Sequence, residues 1–293
     1  MSFLKVESKL VFVTLFSIAW AIQSALSKVA SNYGAYWSTF TYQTLFVAAL
    51  SAFFYIVFTK KKFLKYITLP NIILLSMVGF IGTGVAFASM YYGLELSTVG
   101  NFGFLIKTTT FFTVILGAIS IKEEKLTVIK TTLLFLLMIG AFLISTKGNS
   151  FYPKVGDFFI ILAAFLLSGA SVVIKKFMTG NCPSEVITIS RTFFGGVLLT
   201  LYSLLFDKEN VFAIQTPIAL VLSTGFFLFL LFFFLYKTLE VASVSYLTMH
   251  SMSMSLFTLV FGLIFFKETF NMIQFLGGGI IIISVILISK SKI

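Results

Sequence analysis

Ten apolar blocks, each about 20 residues long and separated by short polar connections, constrain this chain more than any motif. They run over 10–30, 35–58, 70–92, 98–120, 127–146, 156–177, 185–206, 216–238, 243–266 and 271–289. A helix of about 20 residues at 1.5 Å rise spans a hydrocarbon core of roughly 30 Å. No soluble core could absorb this much apolar side chain. Of 293 residues, 59% are hydrophobic and 11% charged, with mean hydropathy +1.06, where soluble domains carry roughly 25% charged residues. The predicted fold class is all-α: a polytopic membrane protein of ten transmembrane helices, with no room for a soluble domain. MSFLKVESKL leads into the first block without a small-residue cleavage pattern, so that block reads as a retained span.

The net charge of +11 does not indicate a nucleic-acid partner, because most lysines sit in tails and short loops between apolar blocks. There they follow the bias of cytoplasmic loops towards lysine and anionic lipid. Lys5, Lys9, Lys60, Lys62, Lys65, Lys122, Lys125 and Lys290 gather on one side if both termini are cytoplasmic, against Lys147 and Lys154 on the other. The expected partners are therefore the lipid bilayer and a small-molecule substrate, with localisation in the cytoplasmic membrane. The single cysteine, Cys182, excludes an intrachain disulfide. The single histidine, His250, has no cluster around it that would hold a metal. Neither a Walker pattern nor GxGxxG occurs, so no cofactor is implied and ATP-driven transport by this chain alone has no support. An enzyme would need a constellation that one His, one Cys and few acids do not supply.

The two halves of the chain are related. Leu94–Glu95 aligns with Leu239–Glu240, Gly117 with Gly262, and Lys122–Glu123 with Lys267–Glu268. In a second register Lys28 aligns with Lys176 and Gln43 with Arg191. The repeats are assigned to residues 1–147 and 148–293, five spans each. An odd number of spans makes the second copy enter from the opposite side of the membrane. Inverted repeats of this kind suit alternating access.

The chain resembles the drug/metabolite transporter superfamily, in particular members with two EamA-type domains. The likeness rests on the paired glycine and Lys–Glu endings at Gly117, Lys122–Glu123, Gly262 and Lys267–Glu268. It rests also on glycines in the last span of each repeat, Gly140 and Gly277 to Gly279, and on Trp20 upstream of Ser27–Lys28. The resemblance covers essentially the whole chain. It implies a central cavity lined by the first four helices of each repeat, with the fifth and tenth helices peripheral. It further implies secondary transport of small metabolites, often efflux, driven by a proton or an exchanged counter-solute, by a monomer or homodimer.

Lys107 is the most unusual residue. It sits about 9 residues, roughly 13 Å, into its span, with no acidic residue deep in any span to pair with it. An ammonium in hydrocarbon must face protein, water or a bound anion; snorkelling and a cavity wall are both open, and the cavity wall would suit a carboxylate or phosphate. Thr108 follows it directly. Arg191 lies nearer the end of its span, where snorkelling or pairing with Glu185, six residues before it, competes with a cavity-mouth role. His250 would suit proton coupling or a structural hydrogen bond. Trp20, Gln23 and Gln43 are expected at a wet interior or a helix interface, since a buried glutamine needs partners. Tyr246 and Asn101, near the starts of their spans, are weaker candidates. The candidate substrate-binding set is thus Lys107, Gln43, Trp20, Gln23, Thr108, Arg191, Tyr246 and His250. Glu123 and Glu268 read as capping residues. Lys107 falls opposite Met252 in the repeat alignment, so the cavity should be chemically asymmetric. A lipid-linked substrate flippase or a non-transporting subunit of a membrane complex is the alternative function.

Overall fold

The computed structural model describes residues 2–33, 37–60, 62–178, 182–206, 215–267 and 269–290. Among them there is no strand. Ten helices are long and apolar enough to cross a membrane: Ser8–Ala30, Thr39–Phe58, Leu69–Glu95, Gly100–Ser120, Val128–Thr146, Val155–Met178, Ser184–Phe206, Ile218–Val241, Val244–Phe265 and Met272–Lys290. They are the first to tenth spans, and all ten predicted blocks recur with ends moved by a few residues. Glu268 lies outside the described residues.

Local chemistry sets the span ends. Thr98, Thr127 and Ser243 cap the fourth, fifth and ninth spans, each side chain accepting a hydrogen bond from the backbone N–H three residues on. The fifth span closes on Lys147 and Gly148 with φ of 56° and 83°, left-handed geometry that favours glycine. Asn271 Nδ2 then donates to the freed Lys147 carbonyl at 2.8 Å, which ties the end of the fifth span to the start of the tenth.

The spans pack in a pattern that maps onto itself when the repeats are exchanged. First against eighth mirrors sixth against third; second against eighth mirrors seventh against third; first against ninth mirrors sixth against fourth. The remaining principal cross-repeat pairs, second–seventh, fourth–ninth and fifth–tenth, are their own mirrors. This is the inverted five-plus-five arrangement that the sequence repeat predicts. The fifth and tenth spans pack chiefly on each other, at the side of the bundle. Exposed Phe54, Phe135, Phe165, Phe226 and Phe265 point outwards, where a bilayer solvates them.

Lipid tails are as apolar as the helices, so close backbone approach rather than the hydrophobic effect must hold such spans together. The fifth–tenth contact uses glycine for this. A Cβ on Gly140 would lie 2.8 Å from the Gly277 carbonyl oxygen, and one on Gly277 only 2.7 Å from that of Gly140. A Cβ on Gly279 meets nothing within 4 Å. Gly277→Val should therefore destabilise the protein by about 1–3 kcal/mol through overpacking, whereas Gly279→Ala should be neutral. Thermal unfolding in detergent compares the two directly; equal midpoints would contradict the packing argument.

Cys182, just before the seventh span, is buried. Burial, helped by the nearby Glu185 carboxylate, pushes its thiol up to about 12. A buried thiol held in its protonated form is a poor nucleophile.

Candidate functional site

Two local departures from α-helix build the site. The first is a π-helical turn at Phe80–Val85 in the third span. Such bulges widen a helix and redirect its backbone groups. Arg191, on the facing seventh span and 2% exposed, fills the opening. Its Nε donates to Thr83 Oγ1 at 2.7 Å, its Nη2 to the Gly82 carbonyl at 3.0 Å and its Nη1 to the Tyr236 hydroxyl at 3.1 Å. The guanidinium also lies 4.7 Å over the Phe232 ring. Arg191 does not snorkel. The small Gly79 and Gly195 let the third and seventh spans approach closely enough for its head group to find these oxygens inside the bundle. All three hydrogen-bond acceptors are neutral.

The second departure is a break in the fourth span and a matching one in the ninth. The fourth divides into Val99–Leu105 and Thr108–Ser120, the ninth into Val244–Ser251 and Met254–Phe266. At both breaks the backbone tightens to 3₁₀ bonding: Lys107 N to Phe104 O at 2.9 Å, Thr110 N to Lys107 O at 3.0 Å, and Ser253 N to His250 O at 3.0 Å. The sequence reason is the density of hydroxyls, which compete for helical carbonyls. Thr108, Thr109 and Ser251 donate to the carbonyls of Leu105, Ile106 and Thr248 at 2.6, 2.6 and 2.7 Å. Thr110 Oγ1 donates to Thr248 O at 3.3 Å and so joins one break to the other. Broken helices at corresponding places in two repeats are a recurring way to present polar groups at mid-membrane.

Lys107 sits in the first break. Its Nζ is 3.4 Å from Met254 Sδ and 5.5 Å from the centre of the Trp20 ring. It faces a cavity of about 140 Å³ between the repeats, room for about five waters at about 30 Å³ each. Trp20, Gln23 and Tyr91 line it from the first and third spans, and Thr109 and Thr110 from the fourth. Ser171, Arg191, Ser251 and Met252 line it from the second repeat. No lining residue is Asp or Glu. A larger hollow of about 600 Å³ lies elsewhere, between the second, third and seventh spans. It is lined by apolar groups with only Ser190 and Tyr66 bearing hydroxyls, and it holds none of the candidate site residues.

Of the eight candidates, the structure brings Lys107, Arg191, Trp20 and Gln23 to the central cavity and leaves four away from it. Gln43 is half-buried on the second span, which contributes no lining residue. Thr108 does not line the cavity, whereas Thr109 and Thr110 do. Tyr246 and His250 are buried against each other, ring centroids 5.1 Å apart, with Lys9 4.3 Å over the tyrosine ring. Capping falls to Glu124, buried, while Glu123 is exposed. Ser171 and Tyr91 were not anticipated. For Ser171 the signal was present: the register that pairs Lys28 with Lys176 places Ser171 opposite Gln23. Among the described residues no group of three His, Cys, Asp or Glu could hold a metal ion.

Ten spans in two inverted repeats, enclosing a mostly apolar cavity into which Lys107, Arg191 and a few hydroxyls project at two broken helices, define a membrane transporter. The sequence matches the EamA-like transporter family over residues 8–146 and again over 154–290, and the chain belongs to that family. It is a multi-pass membrane transporter of the drug/metabolite type. A protein known from its crystal structure, 14% identical, shares the fold with a TM-score of 0.80 over 97% of this chain and 96% of its own. No curated protein matches the sequence.

Proposed function

We propose that the protein is a secondary active transporter that exports a small organic anion or zwitterion, an amino acid or a relative, across the cytoplasmic membrane by alternating access. The observation that carries this reading is the charge of the cavity: two cationic side chains, Lys107 and Arg191, and no carboxylate among its lining residues. A cation in low dielectric without a counter-ion attracts an anionic group strongly. The hydroxyls of Thr109, Thr110 and Ser171 give their protons to the Ile106, Thr248 and Leu167 carbonyls, so their oxygens accept from the ammonium of a zwitterion, and Trp20 belongs to the apolar remainder of the wall. The driving force is a proton or a counter-solute. Both termini lie in the cytoplasm, as the lysine bias requires. The site is complete within one chain, so a monomer or a homodimer would serve.

Flipping of a lipid-linked anion is a second reading, favoured by the apolar hollow on the lateral face. A proteoliposome panel of radiolabelled anionic, zwitterionic and cationic metabolites, with and without a pH gradient, separates these. Saturable uptake of anions or zwitterions supports the carrier. Uptake confined to cations, or large single-channel currents, would refute it, and activity on lipid-linked substrates alone would favour the flippase.

A further inference from the structure

Among the described residues three buried carboxylates lie outside the cavity, Glu124, Asp157 and Glu185. Glu124 and Asp157, one from each repeat and at opposite ends of the bundle, bond across to the other repeat. Glu124, 4% exposed, follows the fourth span. Its Oε1 accepts from the Val244 backbone N–H at 2.6 Å, and its Oε2 from the Ser245 N–H at 3.0 Å and the Ser245 hydroxyl at 2.5 Å. Asp157, 7% exposed, lies in the first turn of the sixth span. It accepts from Asn101 Nδ2 at 3.0 and 3.3 Å, from the Ser97 hydroxyl, and from the Lys154 N–H at 2.8 Å. Asn101 Nδ2 also reaches the Tyr152 carbonyl at 2.9 Å.

The arrangement is reciprocal. The carboxylate of the first repeat grips the start of the broken ninth span, on the face where the chain begins. The carboxylate of the second repeat grips the start of the broken fourth span, on the far face. Each latch therefore joins the two repeats at one face only, with the cavity between them. Hydrogen bonds to a charged acceptor are the strong ones. Bonding that fixes a short half-helix across the repeat boundary is what must be released for that face to open. The fit is close at Glu124: a Cβ on Gly117 would lie 3.0 Å from Val244 Cγ2 and 3.3 Å from the carboxylate.

We infer that Glu124 with Ser245, and Asp157 with Asn101 and Ser97, are the two gates of the transport cycle, released one at a time. This rests on the alternating-access reading. Both latches are engaged in this structure, which accords with the small size of the cavity.

The test uses a Ser171→Cys reporter at the cavity in a Cys182→Ser background, and a membrane-impermeant maleimide applied to one face at a time in oriented vesicles. Asn101→Ala should raise labelling from the far face about tenfold, and Glu124→Gln should do so from the N-terminal face. Ser97→Ala and Ser245→Ala, which leave the other bonds of each carboxylate in place, should give smaller shifts on the same faces. They keep the question answerable if the stronger variants do not insert. Labelling that rises equally on both faces, or on neither, overturns the gates. Large single-channel currents through the unsubstituted protein would mean that alternating access itself fails and the protein is a continuous pore.

Discussion

Replacing Lys107 by Met should lower the affinity for carboxylated or phosphorylated solutes about 10- to 100-fold and leave Lys122→Gln near the parent value. The expected size follows from the loss of one hydrogen bond between charged groups, about 1.5–3 kcal/mol in a partly dry site. Lys107 lines the cavity, and its described contacts are the Met254 sulfur and the Trp20 ring. Neither neutralises it, so a substrate anion would be its counter-charge. Methionine keeps the length and flexibility of the side chain beside Trp20, so packing changes little. Lys122 is exposed in a loop and has no part in the cavity. Transport and binding assays on protein verified to be inserted and monodisperse decide the matter. Unchanged affinity for anionic solutes in Lys107→Met would exclude the role proposed for this ammonium.

The larger structural loss is expected at Arg191. Arg191→Met should abolish transport and cost about 1–3 kcal/mol of stability, the penalty for leaving buried neutral acceptors without their donor. The Gly82 carbonyl, the Thr83 hydroxyl and the Tyr236 hydroxyl would be left in the bundle without their donor. Arg191→Lys should rescue little, because an ammonium does not reproduce the planar fork that reaches all three. A second substitution separates stability from transport. Adding Thr83→Val to Arg191→Met removes one orphaned hydroxyl and should recover about 1 kcal/mol, while transport of anions stays absent. Thermal unfolding combined with proteoliposome uptake provides both readings. Full transport in Arg191→Met would show the guanidinium to be only a brace for the π turn.

The positions of Lys107 and Arg191 illustrate what could be read in advance. That Lys107 is an intramembrane cation with no acidic residue in its own span is visible from apolar length and composition, whereas the span of Arg191 also holds Glu185. That Arg191 turns inwards is not visible, because its acceptors exist only where the third span relaxes into a π turn. The same holds for the threonines. Three in a row at 108–110 announce a competitor for helical hydrogen bonds, yet the break rotates the chain so that the second and third, not the first, face the cavity. Glu124 and Glu123 are indistinguishable by composition, and only the approach of the ninth span selects the one that caps it. Tyr246 and His250 lie in a polar, methionine-rich stretch that reads as cavity wall, but the first span packs over them and Lys9 covers the tyrosine ring.

The sequence by itself determined ten spans, their division into two related halves and the inverted relation between those halves. Each of these follows from apolar length, charge at the loops and an odd number of crossings, which are properties of the chain and the bilayer alone. Only the tertiary structure decided which face of each span lines the cavity. In a water-soluble helix an apolar stripe marks the inward face. Here lipid and protein interior are equally apolar, so nearly uniform spans carry no such stripe, and small residues, helix breaks and cross-repeat hydrogen bonds set the facing instead.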